Sequence, residues 1–422
     1  LNDNTTGANN VALGRNTLSL NVTTSSNVAI GHEALKANIA SNNTAVGNAA
    51  MIANTTGNAN VGVGHSAMVA NTTGVQNVAV GMYALDANTT GGYSTAIGYN
   101  ALTAATTGGQ NTAVGNSALG AVTTAEGNTA IGNNAGGSIT TGTRNVAIGN
   151  GAYDASDTEN DNMAIGFNAM TTNTAGGSQN LALGNNSLDA LTSGDDNVAI
   201  GYGTLTTATT GGYNTAVGTN ALDALTTGNY NTAVGQNAMS TATDGDSNTG
   251  VGQGALYNCA GGAKNTTLGY DAGNAVTSGD NNLLLGYNAG MASSPAHTTN
   301  GTNRIVLGDN NITHAYIKVD WTVTSDERDK MNFAEIPHGL SFVNDLKPIK
   351  FDFKKSRDDE TPHGTTKYGF KAQDILTLEG DNPIIINNQD EDKLGVINSH
   401  LMPVLVKAIQ ELSAEIEILK AK

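Results

Sequence analysis

The run Ser325-Asp326-Glu327-Arg328-Asp329-Lys330 places a serine five residues before a lysine, with four charged side chains between them. A serine hydroxyl is a poor nucleophile at neutral pH and needs a base beside it. A lysine amine can be that base once burial or a neighbouring cation lowers its pKa. Arg328 is such a cation, whereas Asp326, Glu327 and Asp329 act in the opposite direction. Attack by Ser325 on the carbonyl of Thr324 would need no substrate pocket, only a strained local turn. The same letters have a plainer reading, because Thr324-x-x-Glu327 is a capping box and Ser and Asp are common at helix starts. On the residues alone, the helix-start reading outweighs the catalytic one.

Other reactive side chains form no comparable grouping. The seven histidines show no metal-ligand spacing, and His32 and His65 read as surface residues. Asp154, Asp157, Glu159 and Asp161 crowd one stretch without completing a Ca²⁺ loop. A glycosidase would need two carboxyl groups about 5–10 Å apart in a groove, and the acids of the first region are scattered as solubilising charges. Cys259 reads as a buried, unreactive thiol. No metal and no cofactor is implied.

Composition separates two regions. Residues 1–300 carry only Arg15, Lys36, Arg144 and Lys264 as bases against 16 acids, whereas residues 301–422 carry 15 bases and 20 acids. All six prolines and the single tryptophan lie beyond residue 290. A net charge of −17 excludes a phosphate-binding surface and therefore nucleic acid as a partner. No apolar run reaches the length of a membrane span, so no membrane insertion is expected. Leu1 in place of Met leaves room for a segment before it. With 53 glycines and 5% aromatics, the chain has too few large side chains for a compact enzyme core of 422 residues.

The elements that must carry this chemistry begin with a repeat. A pentad of the form Asn-Thr/Val-Ala-Val/Ile-Gly opens at Asn10, Asn27, Asn43, Asn60, Asn77, Ser94, Asn111, Asn128, Asn145, Asn162, Asn180, Asn197, Asn214, Asn231, Asn248, Asn265, Asn282 and Asn303. The spacing is 17, apart from one 16, one 18 and a final 21. Such regularity defines a solenoid. Asn197-Val198-Ala199-Ile200-Gly201 typifies a copy: a short strand bounded by Asn and Gly. Position four, always Val, Ile or Leu, reads as the interior column, so Ile200→Asp is expected to abolish soluble assembly. Position three, mostly Ala, allows a second backbone to approach, and position five is a glycine at positive φ. Asn at position one can stack as a hydrogen-bonded ladder. An apolar pair such as Ala221-Leu222 follows, then a Thr-Thr-Gly corner. At roughly 4.8 Å per coil, eighteen coils give a rod about 85 Å long. So thin a coil suggests an interior shared between chains.

Beyond residue 308 the text changes. Ile312, Ala315, Ile317 and Val319 alternate as a strand, making 309–324 a β linker that ends past Trp321. Residues 325–422 read as an α+β domain with a C-terminal helix over about 399–420. Leu405, Ile409, Leu412, Ile416 and Leu419 form a heptad stripe on that helix, suited to burial against partner helices. The fold class is thus mainly β: a parallel β-solenoid shaft over 1–308, the linker, and an α+β domain closing in a coiled-coil helix.

Two resemblances add to this. The repeat resembles the heads of trimeric autotransporter adhesins and the shafts of phage tail fibres, whose units also carry an Asn-x-Ala-Ile-Gly-like core; the adhesin unit is shorter. The Ser325-Asp326-x-Arg328-x-Lys330 opening, followed by Gly369-Phe370-x-Ala372-Gln373, resembles the endosialidase-type intramolecular chaperone domain at the ends of phage tail spikes, across essentially all of 325–422. That resemblance implies a homotrimer whose chaperone guides folding of the shaft and then releases itself by cleavage between Thr324 and Ser325. Ser325 and Lys330 would be the catalytic dyad, with Asp326, Arg328, Gly369, Phe370 and Gln373 as supporting motif residues. Two heptads with Ile and Leu specify oligomer state weakly, and the family points to a trimer over a dimer. The implied setting is a virion tail, in contact with other virion tail proteins and with a host cell-surface receptor, a glycan among the candidates. The alternatives are a bacterial cell-surface adhesin and a threonine-array solenoid that binds ice or another surface.

Overall fold

Three residues between an Asn and a Gly are enough for one rung of a ladder and no more. The computed structural model describes residues 3–172, 176–291, 294, 298–318, 322–389 and 393–422. Eighteen such rungs, β1 (Val11–Leu13) through β18 (Ile305–Leu307), form one parallel sheet in which each strand pairs with the next. Register places Ala on Ala, as in Ala199↔Ala216, and Ile200 on Val217. The chain divides into two compact units, Leu1–Asp309 and Asn310–Lys422.

The inside of the coil differs from the expectation. Position three is the buried one: Ala29, Ala45, Ala199 and Ala216 are wholly inaccessible, whereas Val198 and Ile200 on either side are half-exposed. The reason is width. A 17-residue coil encloses one layer of side chains, filled by position three, the apolar pair at eight and nine, and position twelve. In one coil these are Ala199, Thr204, Leu205 and Ala208, all fully buried. A branched residue at position three needs room made across the coil, as at Thr267, where a Cβ on the facing Gly273 would lie 2.7 Å from its Cγ2. Volumes are traded across this gap. Glycine replaces alanine at Gly62, where a Cβ would lie 2.9 Å from Met51 Cγ, and Leu284 is accommodated because Gly290 faces it. Each chain therefore closes its own core, and no shared interior is needed to fill it.

Two buried amide ladders run along the coil. Asn197 Oδ1 accepts from the Asn214 N–H at 3.0 Å, while Asn197 Nδ2 donates to the Gly211 carbonyl at 2.9 Å. Asn197→Ala strands both groups, and at about 1–3 kcal/mol each should cost about 2–6 kcal/mol, read as a lowered melting transition. The second ladder, at position twelve, was not foreseen: Asn54, Asn71 and Asn88 join through bonds of 2.7 and 2.8 Å. It stops where Ala105 takes the place, leaving Asn88 Oδ1 buried and without a partner among the described residues. A hydroxyl there restores the bond, so Ala105→Ser should stabilise the shaft by about 1 kcal/mol in thermal denaturation.

Position five needs glycine for two reasons. Gly201 has φ +139°, and a Cβ on it would stand 2.7 Å from the Gly218 carbonyl oxygen. Threonines at the corner complete the backbone: Thr72 Oγ1 donates to the Thr89 carbonyl at 2.9 Å and Thr89 Oγ1 to that of Thr106 at 3.0 Å. The last copy opens at Arg304 rather than Asn303, because Leu283 pairs with Ile305 and the Arg304 N–H donates to Asn282 Oδ1. Its spacing is therefore 22.

The second unit contains α1 (Leu340–Asp345), a hairpin of β19 (Ile349–Ser356) and β20 (Asp359–Gly369), α2 (Ala372–Glu379), the short pair β21 (Ile386–Asn387) and β22 (Gly395–Val396), and α3 (Asn398–Lys420). Its small core joins Phe342, Ile375, Ile385, Ile386, Leu401 and Val404. Glu411 on α3 caps α1 by accepting from the Leu340 N–H at 2.6 Å. Ile312, Ala315 and Ile317 do not form the expected linker strand: among the described residues they pair with no strand. Val319 and Trp321 lie outside the described residues.

Candidate functional site

Ser325 and Lys330 could meet only if the chain between them folds back, and a single 3₁₀ turn, Glu327–Asp329, makes it do so. Asp326 starts the turn with extended backbone, its carboxylate accepting from the Arg328 N–H at 2.9 Å. The cap is thus Asp326 and not Thr324, so the Thr324–Glu327 capping box does not form: a three-residue turn takes its acceptor from the residue next to it. The Lys330 N–H closes the turn on the Glu327 carbonyl at 3.1 Å. Lys330 Nζ then stands 2.5 Å from Ser325 Oγ and donates to it.

Arg328 does not serve as a cation beside Lys330. Its guanidinium is bound to Asp326, with Nη2–Oδ2 at 2.6 Å and Nε–Oδ1 at 3.0 Å. That pairing holds the Asp326 carboxyl below the usual carboxylate range. Thr324, Ser325 and Lys330 are all exposed. The arrangement brings a hydroxyl and an amine together on an exposed turn.

The remaining motif residues serve the domain. Gly369 pairs with Ile349 at the end of β20, and a Cβ there would lie 3.0 Å from the Phe351 ring. Phe370 packs against the core around Ile375. Gln373 is exposed in the first turn of α2.

On α3 the buried residues are Leu401, Val404 and Ala408, with Leu405 packed against them. The rest of the heptad stripe faces outward: Ile409 is 66% exposed and Leu419 68%, with Leu412 and Ile416 between. Met402 and Val406 extend that outward stripe, so Leu405 belongs to the domain and not to the free face. No helix among the described residues is long and apolar enough to cross a membrane.

The acids of the 154–161 stretch have structural partners. Asp154 accepts from Asn134 Nδ2 at 2.6 Å, and Asp161 binds Arg144. The buried Glu159 carboxylate takes the Asp157, Thr158 and Gly176 N–H groups. Burial pushes the Cys259 thiol up to about 11. It should therefore resist alkylation in the folded protein and react stoichiometrically once unfolded, as mass shift will show.

Within the C-terminal unit, residues 325–378 match the model of the family described as Chaperone of endosialidase (Peptidase S74). The match opens on Ser325 itself and takes in the Gly369–Gln373 motif. It ends within α2, short of the span to residue 422 that the resemblance had suggested. The chain thus carries, after its β-solenoid, a segment similar to that chaperone family. No curated protein and no solved structure matches it.

Proposed function

We propose that the chain is a segment of a homotrimeric phage tail fibre whose C-terminal unit directs assembly of the shaft and then severs itself between Thr324 and Ser325. The observation that carries the cleavage is the 2.5 Å contact between Lys330 Nζ and Ser325 Oγ, at the first residue of the chaperone match. In its neutral form Lys330 takes the Ser325 hydroxyl proton as Oγ attacks the Thr324 carbonyl carbon. The C–N bond breaks, the proton passes to the departing amine, and an ester joins Thr324 to the Ser325 oxygen. Water hydrolyses that ester, leaving a Thr324 carboxylate and restoring the Ser325 hydroxyl.

Two surfaces support the trimer. Position four forms an outward aliphatic stripe along all eighteen strands, for example Ile97, Ile131 and Leu268, in continuous parallel register. An apolar stripe of that length marks an association surface. The outward face of α3 is the second. The shaft would reach toward a host cell-surface receptor, a glycan among the candidates, and its other neighbours would be virion tail proteins.

Light scattering and intact-mass measurement on the purified chain test the reading together. The expected result is a trimeric mass with fragments ending at Thr324 and beginning at Ser325. A monomer would remove the trimer, an uncut chain the cleavage, and soluble trimeric shaft from a gene ending at Thr324 the chaperone role.

A further inference from the structure

We infer that Asp326 is the positioning residue of the cleavage turn, the group whose side-chain cap keeps Lys330 on Ser325. This rests on the self-cleavage reading and adds to it the part that makes the dyad meet.

Five residues of extended chain would put Ser325 and Lys330 about 17 Å apart, beyond what a lysine side chain spans. The fold-back comes entirely from the 3₁₀ turn Glu327–Asp329, which buries no residue. A three-residue 3₁₀ turn with no core behind it is marginal, because few bonds offset the fixing of its backbone. Two backbone bonds close it, Asp329 N–H to the Asp326 carbonyl at 3.2 Å and Lys330 N–H to Glu327. The side-chain bond that reinforces them is the Asp326 carboxylate on the Arg328 N–H. The same carboxylate then engages the Arg328 guanidinium through both oxygens. Two consequences follow from one side chain. The turn has its cap, and the Asp326 charge is spent on Arg328 instead of drawing Lys330 away from the serine.

Cleavage of the full chain, followed by intact mass against time, separates the cap from the charge. Asp326→Ala removes both. Loss of the N-cap should lower the population of the turn, and so the cleavage rate, about fivefold. Asp326→Asn keeps an acceptor for the Arg328 N–H and is an equally good cap, so it should restore the rate to within about twofold. Trimer yield should be the same for all three chains, since the turn contributes nothing to the core. Cleavage of Asp326→Ala at the wild-type rate would overturn the inference while leaving the self-cleavage reading intact. An Asp326→Asn chain as slow as Asp326→Ala would overturn it too, by showing that charge and not capping is needed. A wild-type chain that stays whole, indistinguishable from Ser325→Ala, would remove the cleavage reading and the inference with it.

Discussion

Ser325→Ala and Lys330→Ala should each leave a chain of 422 residues intact, where the wild type should yield two fragments. The effect is all or none on the time scale of a preparation. Without the hydroxyl there is no nucleophile, and without the amine at 2.5 Å nothing takes its proton. Both variants should still assemble, because neither side chain belongs to the core of the C-terminal unit. Intact mass with native light scattering reads both properties from one sample. Lys330→Arg is the sharper control: it keeps the charge and the length, but a guanidinium does not give up its proton near neutrality. It too should stay uncut.

Ala199→Asp should prevent the shaft from folding, while Ile200→Asp should leave each coil folded. Ala199 is wholly enclosed between Ala182 and Ala216 in the ladder, with the buried Leu205 in the same narrow interior. A carboxylate there has neither room nor a partner, at a cost of at least about 4 kcal/mol. Ile200 lies on the outward face and half-exposed, so a charge there costs the isolated coil about 1 kcal/mol or less. Its effect should fall on association of the proposed trimer. Circular dichroism with sedimentation separates the cases: no β signal for Ala199→Asp, a β signal with reduced mass for Ile200→Asp. Loss of fold in the second variant would return position four to the interior.

The contrast between those two positions shows where sequence reasoning ran out. The repeat length, the strand of each copy, the glycine column and the first Asn ladder are local and recur many times, so they were legible. Inside and outside were not. Alternation in a three-residue strand identifies two faces without saying which is buried, and hydrophobicity alone favours Ile200 over Ala199. What decides is the space left by Leu205 and its equivalents across the coil, a non-local quantity. The exchange of volume between Gly62 and Met51 states it in two residues. The last copy was misplaced by one for a related reason: Asn303 has the right side chain, but pairing of Ile305 with Leu283 assigns its role to Arg304. At the site, the pairing of Ser325 with Lys330 was suggested by the motif resemblance and not by the spacing alone, and the two side chains do meet. The Asp326 cap was not, because the capping-box template fits Thr324 equally well and only backbone geometry separates them.

Every irregularity of the repeat falls in one place. The copy shortened by one residue loses it between Asn38 and Asn43, and the copy lengthened by one gains it between Met170 and Asn180. The longest spacing adds its residues between Ala289 and Arg304. In all three the strands on either side keep their register, Val28 on Thr44, Met163 on Leu181 and Leu283 on Ile305. The polar corner is therefore the tolerance of the machine, and the ladder its ruler. Tandem duplication or loss of one repeat changes the length of the solenoid by a single rung of roughly 4.8 Å without posing a new folding problem. Small slips of the reading register at the gene level are absorbed at the same corner, provided they preserve the frame. Solenoid length becomes a quantised, heritable trait, adjustable by recombination between near-identical copies rather than by remodelling of any one of them.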